Sequence, residues 1–232
     1  MTDWNERYAE PGYQFGTEPN DFLRAQAHHL WDTHGLPAEG GAGVGRVLCL
    51  ADGEGRNGVW LAEQGLDVTS VDLAPMGLEK AQRLAAERGV SITTVQADLA
   101  TYAIEPGAWQ GIVSIFAHLP PETRRRVHAG VVAGLVPGGV FILEAYRPEQ
   151  IGKGTGGPPD DERMMNLARL KPELGALQWL LAREEEREVL EGPRHSGLAS
   201  VVQLVARRQR TRGRAPRPSP APRRAARREA GT

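Results

Sequence analysis

Cysteine is almost absent from this chain of 232 residues, which contains only Cys49. A single cysteine cannot form an internal disulfide, and it cannot build a metal cluster that needs several thiolates. No spacing of histidine, aspartate or glutamate residues indicates a metal site either. Because Cys49 lies inside the apolar run RVLCLA, we expect it to be an inert core residue.

Long apolar runs are also missing from the sequence. No stretch approaches the roughly 18 apolar residues that indicate a membrane-spanning helix. The beginning of the chain, MTDWNERYAE, has neither the basic residues nor the apolar stretch of a signal peptide. We therefore expect a soluble, cytoplasmic protein that does not bind membranes. The apolar fraction of 40% and the charged fraction of 25% are those of an ordinary globular domain.

Positive charge is concentrated at the end of the chain. Residues 207–232 contain ten arginines and one glutamate, whereas the whole chain has a formal net charge of −1. The remainder is therefore acidic and does not have the charge of a nucleic-acid-binding domain. The tail has no Val, Ile or Leu, so we expect it to be disordered. It is either a plain solvated extension, which we favour, or a basic arm for nucleic acid or another anionic surface.

Strand-like and helix-like segments alternate through the middle of the chain, which predicts an α/β protein with a parallel, doubly wound sheet. The predicted strands are 46–51, 67–72, 91–98, 111–118 and 140–146, and the predicted helices between them are 56–64, 75–89 and 120–139, the last closed by Pro-Gly-Gly. After a Gly- and Pro-rich loop, 160–174 predicts one or two helices. Segments 177–192 and 197–208 predict a terminal pair of strands, although AREEEREV is also a plausible helix by propensity. Before the core, 18–35 predicts a capping helix with Asn20 or Asp21 as N-cap.

The loop after the first strand contains Gly53, Gly55 and Gly58 in the spacing G-x-G-x-x-G, which alone is weak evidence for a dinucleotide site. Asp52 and Glu54 flank these glycines and would repel the pyrophosphate of NAD. S-adenosyl-L-methionine has no phosphate and carries a positive sulfonium, so it tolerates acidic neighbours. The acidic loop therefore favours S-adenosyl-L-methionine as the cofactor over NAD.

The motifs VLCLADGEGRN, VDLAP, QADL and PGGVFILE together resemble those of class I S-adenosylmethionine-dependent methyltransferases. The leading stretch WNERYAEPGYQFGTEPNDFL is similar to that of the tellurite-resistance and thiopurine methyltransferase-like group. The resemblance covers about residues 4–206 and implies a seven-stranded, mostly parallel Rossmann-like sheet with an antiparallel last strand. The sequence departs from the class at Cys49, where an acid is common, and at Ala51, where the first glycine is common.

The candidate cofactor residues follow the ends of the predicted strands, where ligands of such sheets bind. Ala51, Gly53 and Gly55 would let the backbone approach the methionine part, although a plain tight turn would also use glycines. Asp72 would accept hydrogen bonds from the ribose hydroxyls and Asp98 one from the adenine amine, the alternative for each being a helix N-cap.

Apolar residues complete the candidate cofactor site. Leu73 and Leu99 would sandwich the adenine, or belong to the core. Phe116 follows the fourth strand and is expected at the same edge. The resemblance implies that the aromatic N-terminal segment closes over the cofactor as a lid, with Tyr13 and Phe15 the best candidates, whereas burial of rings that dock a tail is the alternative.

His118 follows the fourth strand and is our candidate catalytic residue, as base or hydrogen-bond donor to the acceptor, although a lone histidine is more often a loop residue. His195 is a weaker second candidate. Without a convincing base, we expect a soft small-molecule acceptor such as a thiol or a selenium or tellurium compound. The alternatives are an NAD-dependent oxidoreductase, an S-adenosylmethionine-binding module, and an RNA-associated methyltransferase that uses the tail.

The predicted organisation has three parts. Residues 1–35 form an N-terminal lid and capping helix, residues 36–206 form the methyltransferase core, and residues 207–232 form the tail. Nucleic acid is expected to contact the tail alone.

Overall fold

The computed structural model describes residues 3–31, 45–192 and 195–210. Residues 32–35 of the predicted capping helix and the predicted tail from residue 211 onward lie outside the described residues. Within the described part of the chain, no helix is long and apolar enough to cross a lipid bilayer.

A seven-stranded mixed sheet forms the centre of the protein, with strand order β3-β2-β1-β4-β5-β7-β6. The first five strands are parallel, and β7 runs antiparallel to both β5 and β6. This confirms the predicted fold class, including the antiparallel last strand. The strands are β1 (Arg46–Leu50), β2 (Asp67–Asp72), β3 (Thr93–Gln96), β4 (Trp109–Ile115), β5 (Leu135–Tyr146), β6 (Gln178–Leu190) and β7 (Ser196–Arg207).

Helices pack on both faces of this sheet. β1 shows why, because its side chains alternate between two apolar clusters: Leu48 and Leu50 lie in one, Val47 and Cys49 in the other. A strand covered on both faces needs a continuous apolar run, which RVLCL provides. The helices are α1 (Trp4–Ala9), α2 (Asp21–Gln26), α3 (His28–Trp31), α4 (Arg56–Glu63), α5 (Pro75–Glu87), α6 (Pro121–Gly134) and α7 (Leu167–Leu174), with a short 3-10 helix at Pro148–Gln150.

The Pro-Gly-Gly segment lies inside a strand and does not close a helix. α6 ends at Gly134, and β5 begins at Leu135, five residues before the predicted strand start. Pro137 disfavours helical backbone at the preceding residue, so the chain extends early. The pairing of β4 with β5 shifts register between Trp109 and Gly111, and Gly138 has a φ of +91° at this irregularity.

The charged segment AREEEREV lies in strand β6. This confirms the prediction of a terminal pair of strands, and the helix that local propensity also allowed does not form. β6 pairs along its whole length with β7, from Gln178 opposite Arg207 to Leu190 opposite Ser196. Long-range pairing therefore overrides local propensity.

The predicted capping helix consists of two short helices, α2 and α3. Asn20, rather than Asp21, is the N-cap, because its side-chain oxygen accepts a hydrogen bond of 2.9 Å from the Leu23 N–H. A short polar side chain at this position satisfies one of the free N–H groups of the first turn.

Candidate active site

The turn between β1 and α4 is built from left-handed residues. Ala51, Gly53 and Gly55 have φ values of +50°, +56° and +83°. Glycine adopts this conformation without steric cost, whereas alanine is strained there. Alanine therefore occupies a position for which glycine is better suited, and such strain concentrates at ligand-binding sites.

The two glycines of this turn differ in what lies against them. A Cβ on Gly53 would overlap the hydroxyl of Tyr8, whose ring carbon Cζ would be 3.0 Å away. A Cβ on Gly55 would lie 2.5 Å from Cβ of Ala81 on α5. Gly55 is thus required for helix packing whether or not it approaches a cofactor. Gly53 lets the N-terminal segment reach the turn.

Asp72 lies at the end of β2 and faces the same turn. Its Oδ2 accepts a hydrogen bond of 2.8 Å from Gly53 N–H, and its Oδ1 accepts one of 2.9 Å from Ala74 N–H. Burial raises its pKa. Leu73, the next residue, is 56% exposed although it is apolar. Both residues lie at the carboxyl end of β2, the edge of the sheet where ligands of doubly wound folds bind.

The residues after β3 occupy different environments. Asp98 is exposed, and its Oδ1 accepts a hydrogen bond of 2.8 Å from Ala100 N–H, as in a local turn. Leu99 is buried in the main apolar cluster. The core alternative therefore accounts for Leu99, while the carboxylate of Asp98 is accessible to a ligand.

Asp52 and Glu54 are both buried, which changes the electrostatics of the turn. Asp52 Oδ2 accepts hydrogen bonds from Ser70 Oγ at 2.6 Å and Gly58 N–H at 3.2 Å. Burial, opposed in part by these bonds, raises the pKa of Asp52 to about 7. Glu54 Oε1 pairs with Lys80 Nζ at 2.8 Å. The expected repulsion of a phosphate by both carboxylates is therefore weaker than the sequence predicts, because Asp52 is partly protonated near neutral pH and Glu54 is paired with a lysine.

The same lysine ties the N-terminal segment to the body of the protein. Lys80 Nζ also donates to the backbone oxygens of Glu10 and Gly12 at 2.8 and 2.5 Å. The second oxygen of Glu54 accepts a hydrogen bond of 2.7 Å from Gln14 N–H. These bonds hold residues 10–14 against α5 and the turn. The sequence did not predict this attachment, because Lys80 and Glu54 are 26 positions apart.

Aromatic rings of the N-terminal segment cluster above the turn. Phe15 lies 6.2 Å from the rings of both Trp4 and Tyr8 and 4.6 Å from that of His195. Tyr13 is half-buried, and its hydroxyl donates to Lys80 O at 3.4 Å. The structure thus places Phe15 among these rings and Tyr13 beside α5, in the pocket lined by residues 8–13 and by residues of α5.

His118 does not have the geometry of a general base. Its Nε2 accepts a hydrogen bond of 2.9 Å from Tyr146 N–H, so this lone pair is already used. Burial lowers the pKa of His118 to about 4, and the ring is therefore neutral. It stacks on Tyr146 with centroids 5.4 Å apart. These contacts support a role of His118 in fixing the strand ends and leave its Nε2 lone pair unavailable to act as the base. The alternative role of hydrogen-bond donor to the acceptor stays a prediction.

Phe116 adopts a φ of +54°, which is rare for a bulky residue. Its ring lies 4.6 Å from that of Tyr146 and 4.8 Å from that of His195. The strained backbone turns the ring into the space above the ends of β4 and β5. Phe116 is therefore a wall of the site on the side away from β2.

A buried ionic network joins this wall to the turn. Arg56, in the first turn of α4, donates to Glu191 Oε2 at 2.5 Å. Arg187 bridges Glu191 and Glu144, with its Nη2 at 2.8 Å and 2.7 Å from their oxygens. Asn20 Nδ2 donates to the same two glutamates at 2.8 and 2.5 Å. No local pattern in the sequence predicts this network, because Arg56 and Glu191 are 135 positions apart.

In the described part of the chain, no group of three or more histidine, cysteine or acidic side chains has the arrangement of a metal site.

Comparisons with known proteins identify a domain and a fold. Residues 47–139 match the family model described as a methyltransferase domain. A curated relative, the 2-heptyl-1-hydroxyquinolin-4(1H)-one methyltransferase of Mycobacteroides abscessus, is 30% identical over 105 residues. That alignment covers 44% of this chain and 46% of the relative, so this chain matches less than half of the relative's length.

Two solved structures have the same fold. One, from work on the conversion of a disulfide bond into a thioacetal group during echinomycin biosynthesis, has a TM-score of 0.65, 15% identity and covers 88% of both chains. The other is TehB from Haemophilus influenzae, with a TM-score of 0.61, 19% identity, and coverage of 81% of this chain and 66% of that one. At these identities the likeness concerns the fold alone.

The pKa of Asp52 predicts how stability depends on pH. An acid whose pKa is raised in the folded state destabilises the fold progressively as pH rises from its ordinary range near 4 to about 7, and by a constant amount above. We expect Asp52→Asn to increase the free energy of unfolding relative to the native chain by about 2 kcal/mol more at pH 8 than at pH 5. Denaturant unfolding at the two pH values measures this.

Asp67→Asn, which changes an exposed acid at the other end of β2, is the matched control. It should leave the difference between the two pH values unchanged. An equal effect of Asp52→Asn at both pH values would contradict the raised pKa.

Proposed function

We propose that this chain, whose residues 47–139 form a methyltransferase domain that uses S-adenosyl-L-methionine, transfers a methyl group to a small-molecule acceptor. The observation that carries the proposal is the left-handed turn after β1 with the buried Asp72 opposite it. Such a turn at the carboxyl end of a parallel sheet is where ligands of doubly wound folds bind.

Each part of the cofactor has a candidate partner. Asp72 would accept hydrogen bonds from the ribose hydroxyls, either in place of or in addition to those it accepts from backbone N–H groups. The exposed Leu73 would cover one face of the adenine, and Asp98 would accept from its amine. The backbone of Ala51 to Gly53 would line the methionine part.

When bound, S-adenosyl-L-methionine would supply an activated methyl carbon. The lone pair of the acceptor would form a bond to that carbon while the carbon–sulfur bond breaks and its electrons return to sulfur. The protein holds the acceptor in line and excludes water, which can contribute roughly 7–11 kcal/mol to lowering the barrier. The aromatic rings of Phe15, Phe116 and Tyr146 are suited to exclude water.

The acceptor proposed from the sequence is soft: a thiol or a selenium or tellurium compound. The lack of a free lone pair on His118 Nε2 supports an acceptor that needs little help from a base. The fold likeness to TehB is consistent with the tellurium class. A second candidate is an aromatic hydroxy compound, favoured by the aromatic wall and by the hydroxyquinolone that the curated relative methylates.

Cofactor choice is tested by calorimetric titration of the chain with S-adenosylhomocysteine, NAD and NADP in parallel. We expect saturable binding of S-adenosylhomocysteine alone, and a loss of affinity of about tenfold or more in Asp72→Asn, because charge-assisted hydrogen bonds to the ribose weaken. Asp67→Asn, at the far end of the same strand, is the control and should bind like the native chain. Binding of NAD in preference to S-adenosylhomocysteine would refute the proposal.

The N-terminal segment, we propose further, is a lid over the cofactor. Its support is the attachment of residues 10–14 to Lys80 and Glu54 together with the packing of Tyr8 on Gly53. The attachment depends on the buried ion pair of Lys80 and Glu54. Removing only one partner of such a pair strongly destabilises the fold, because it leaves the other charge buried and unpaired.

Replacing the ion pair tests the lid. We expect the double variant Lys80→Met with Glu54→Gln, which leaves no unpaired buried charge, to fold, to be cleaved faster by protease within residues 3–16, and to bind S-adenosylhomocysteine about tenfold more weakly. Arg83→Ala removes an exposed cation from the same helix and is the control. Faster cleavage with unchanged affinity would show that the segment docks without acting as a lid.

The acceptor class is tested by assaying transfer from S-adenosyl-L-methionine to simple thiols, selenite, tellurite and 1-hydroxyquinolin-4-one. We expect at least one of these small molecules to be methylated, and a chain ending at Arg210 to retain that activity. Methylation of protein or RNA alone would refute a small-molecule acceptor, and loss of activity on ending the chain at Arg210 would assign a function to the basic tail.

A further inference from the structure

Two buried polar atoms close to the aromatic wall have no hydrogen-bond partner: Arg56 Nη1 and His195 Nδ1. Arg56 is only 6% exposed. The two residues are neighbours, since Glu191, which receives the hydrogen bond from Arg56, also donates its N–H to His195 O at 2.7 Å. A buried guanidinium N–H without an acceptor is rare in folded proteins and calls for a ligand.

The carboxylates around Arg56 already accept hydrogen bonds. Both oxygens of Glu191 are engaged, one by Arg56 and the other by Arg187 and Asn20. Both oxygens of Glu144 are likewise engaged, by Arg187 and by side-chain amides. Each carboxylate oxygen of Glu191 and Glu144 thus already accepts a hydrogen bond, whereas Arg56 Nη1 has no partner, so a ligand that supplies an acceptor oxygen would satisfy it.

His195 adds a second polar atom beside the first. Burial, with the nearby charge of Arg56, lowers the pKa of His195 to about 3, so its ring is neutral and carries one N–H. With that proton on Nδ1, His195 offers an imidazole donor on the residue that Glu191 links to Arg56, and donors of these two kinds suit an oxygen anion.

The position of His195 separates this pair from the adenosine side of the site. Its ring lies 4.8 Å from that of Phe116, just after β4, and 5.5 Å from that of Tyr146, the last residue of β5. Asp72 and Leu73 follow β2, on the other side of β1 in the sheet order. A ligand group at Arg56 and His195 is therefore placed over the half of the sheet that the cofactor's adenosine does not use.

We propose that Arg56 Nη1 and His195 Nδ1 bind an anionic oxygen of the methyl acceptor, which rests on the proposed methyl transfer. The acceptor is thus an oxyanion or carries one, such as a carboxylate, an ionised hydroxyl or a selenium or tellurium oxyanion. Phe15 closes the site over this group, 4.6 Å from the ring of His195.

The test uses the full chain saturated with S-adenosylhomocysteine and titrated by calorimetry with selenite, benzoate and the neutral isostere benzamide. We expect saturable binding of at least one anion and none of benzamide. His195→Ala and Arg56→Lys, which keeps a cation for Glu191 but loses the second donor, should each weaken that binding about tenfold. Arg125→Lys changes an exposed cation on α6, outside this network, and should leave anion affinity within about twofold.

Several results would overturn the assignment. Equal binding of benzoate and benzamide, or no anion binding at all, would show that no anion site exists. A parallel loss of S-adenosylhomocysteine affinity in Arg56→Lys, with unchanged affinity for 5′-methylthioadenosine, would assign Arg56 to the carboxylate of the cofactor. Failure of the native chain to bind S-adenosylhomocysteine would instead refute the proposed function, and titration of the unloaded chain with the same anions keeps the two outcomes apart.

Discussion

The buried carboxylate of Glu191 is the interaction on which the arrangement of the site depends. Through it, the first turn of α4, the end of β6 and the residue before α2 are held together by Arg56, Arg187 and Asn20. These segments are far apart in sequence, and each supplies a part of the site. Buried charges are tolerated only when they are paired and hydrogen-bonded, so the network constrains all three at once. Within this network, Arg56 Nη1 is buried and has no hydrogen-bond partner.

The turn after β1 predicted S-adenosyl-L-methionine through a physical argument that the structure revises. Residues 47–139 match a family model described as a methyltransferase domain. Yet Asp52 is partly protonated near neutral pH because it is buried, and Glu54 is neutralised by Lys80. The acids of the turn act on the protein itself: one braces α4 through Gly58 N–H, and the other anchors the N-terminal segment.

The other half of the site is built from rings. Phe15, Phe116, Tyr146 and His195 come from the N-terminal segment, two strand ends and the β6–β7 turn, and they contact one another in one cluster. Such a wall excludes water, which strengthens any polar contact inside it. His118 belongs to the support of this wall, since its ring accepts the N–H of Tyr146.

The sequence by itself determined the sheet, the turn after β1 and the candidate residues along its edge, because local patterns encode them: apolar runs for β1 and β5, glycines for left-handed backbone, Asp72 after β2. The start of β5 at Leu135 and the strand conformation of β6 required pairing partners that no local pattern reveals. Only the tertiary structure decided which charges are paired. Lys80 meets Glu54, and Arg56 meets Glu191 across 135 positions, because burial and proximity arise only when the chain is folded.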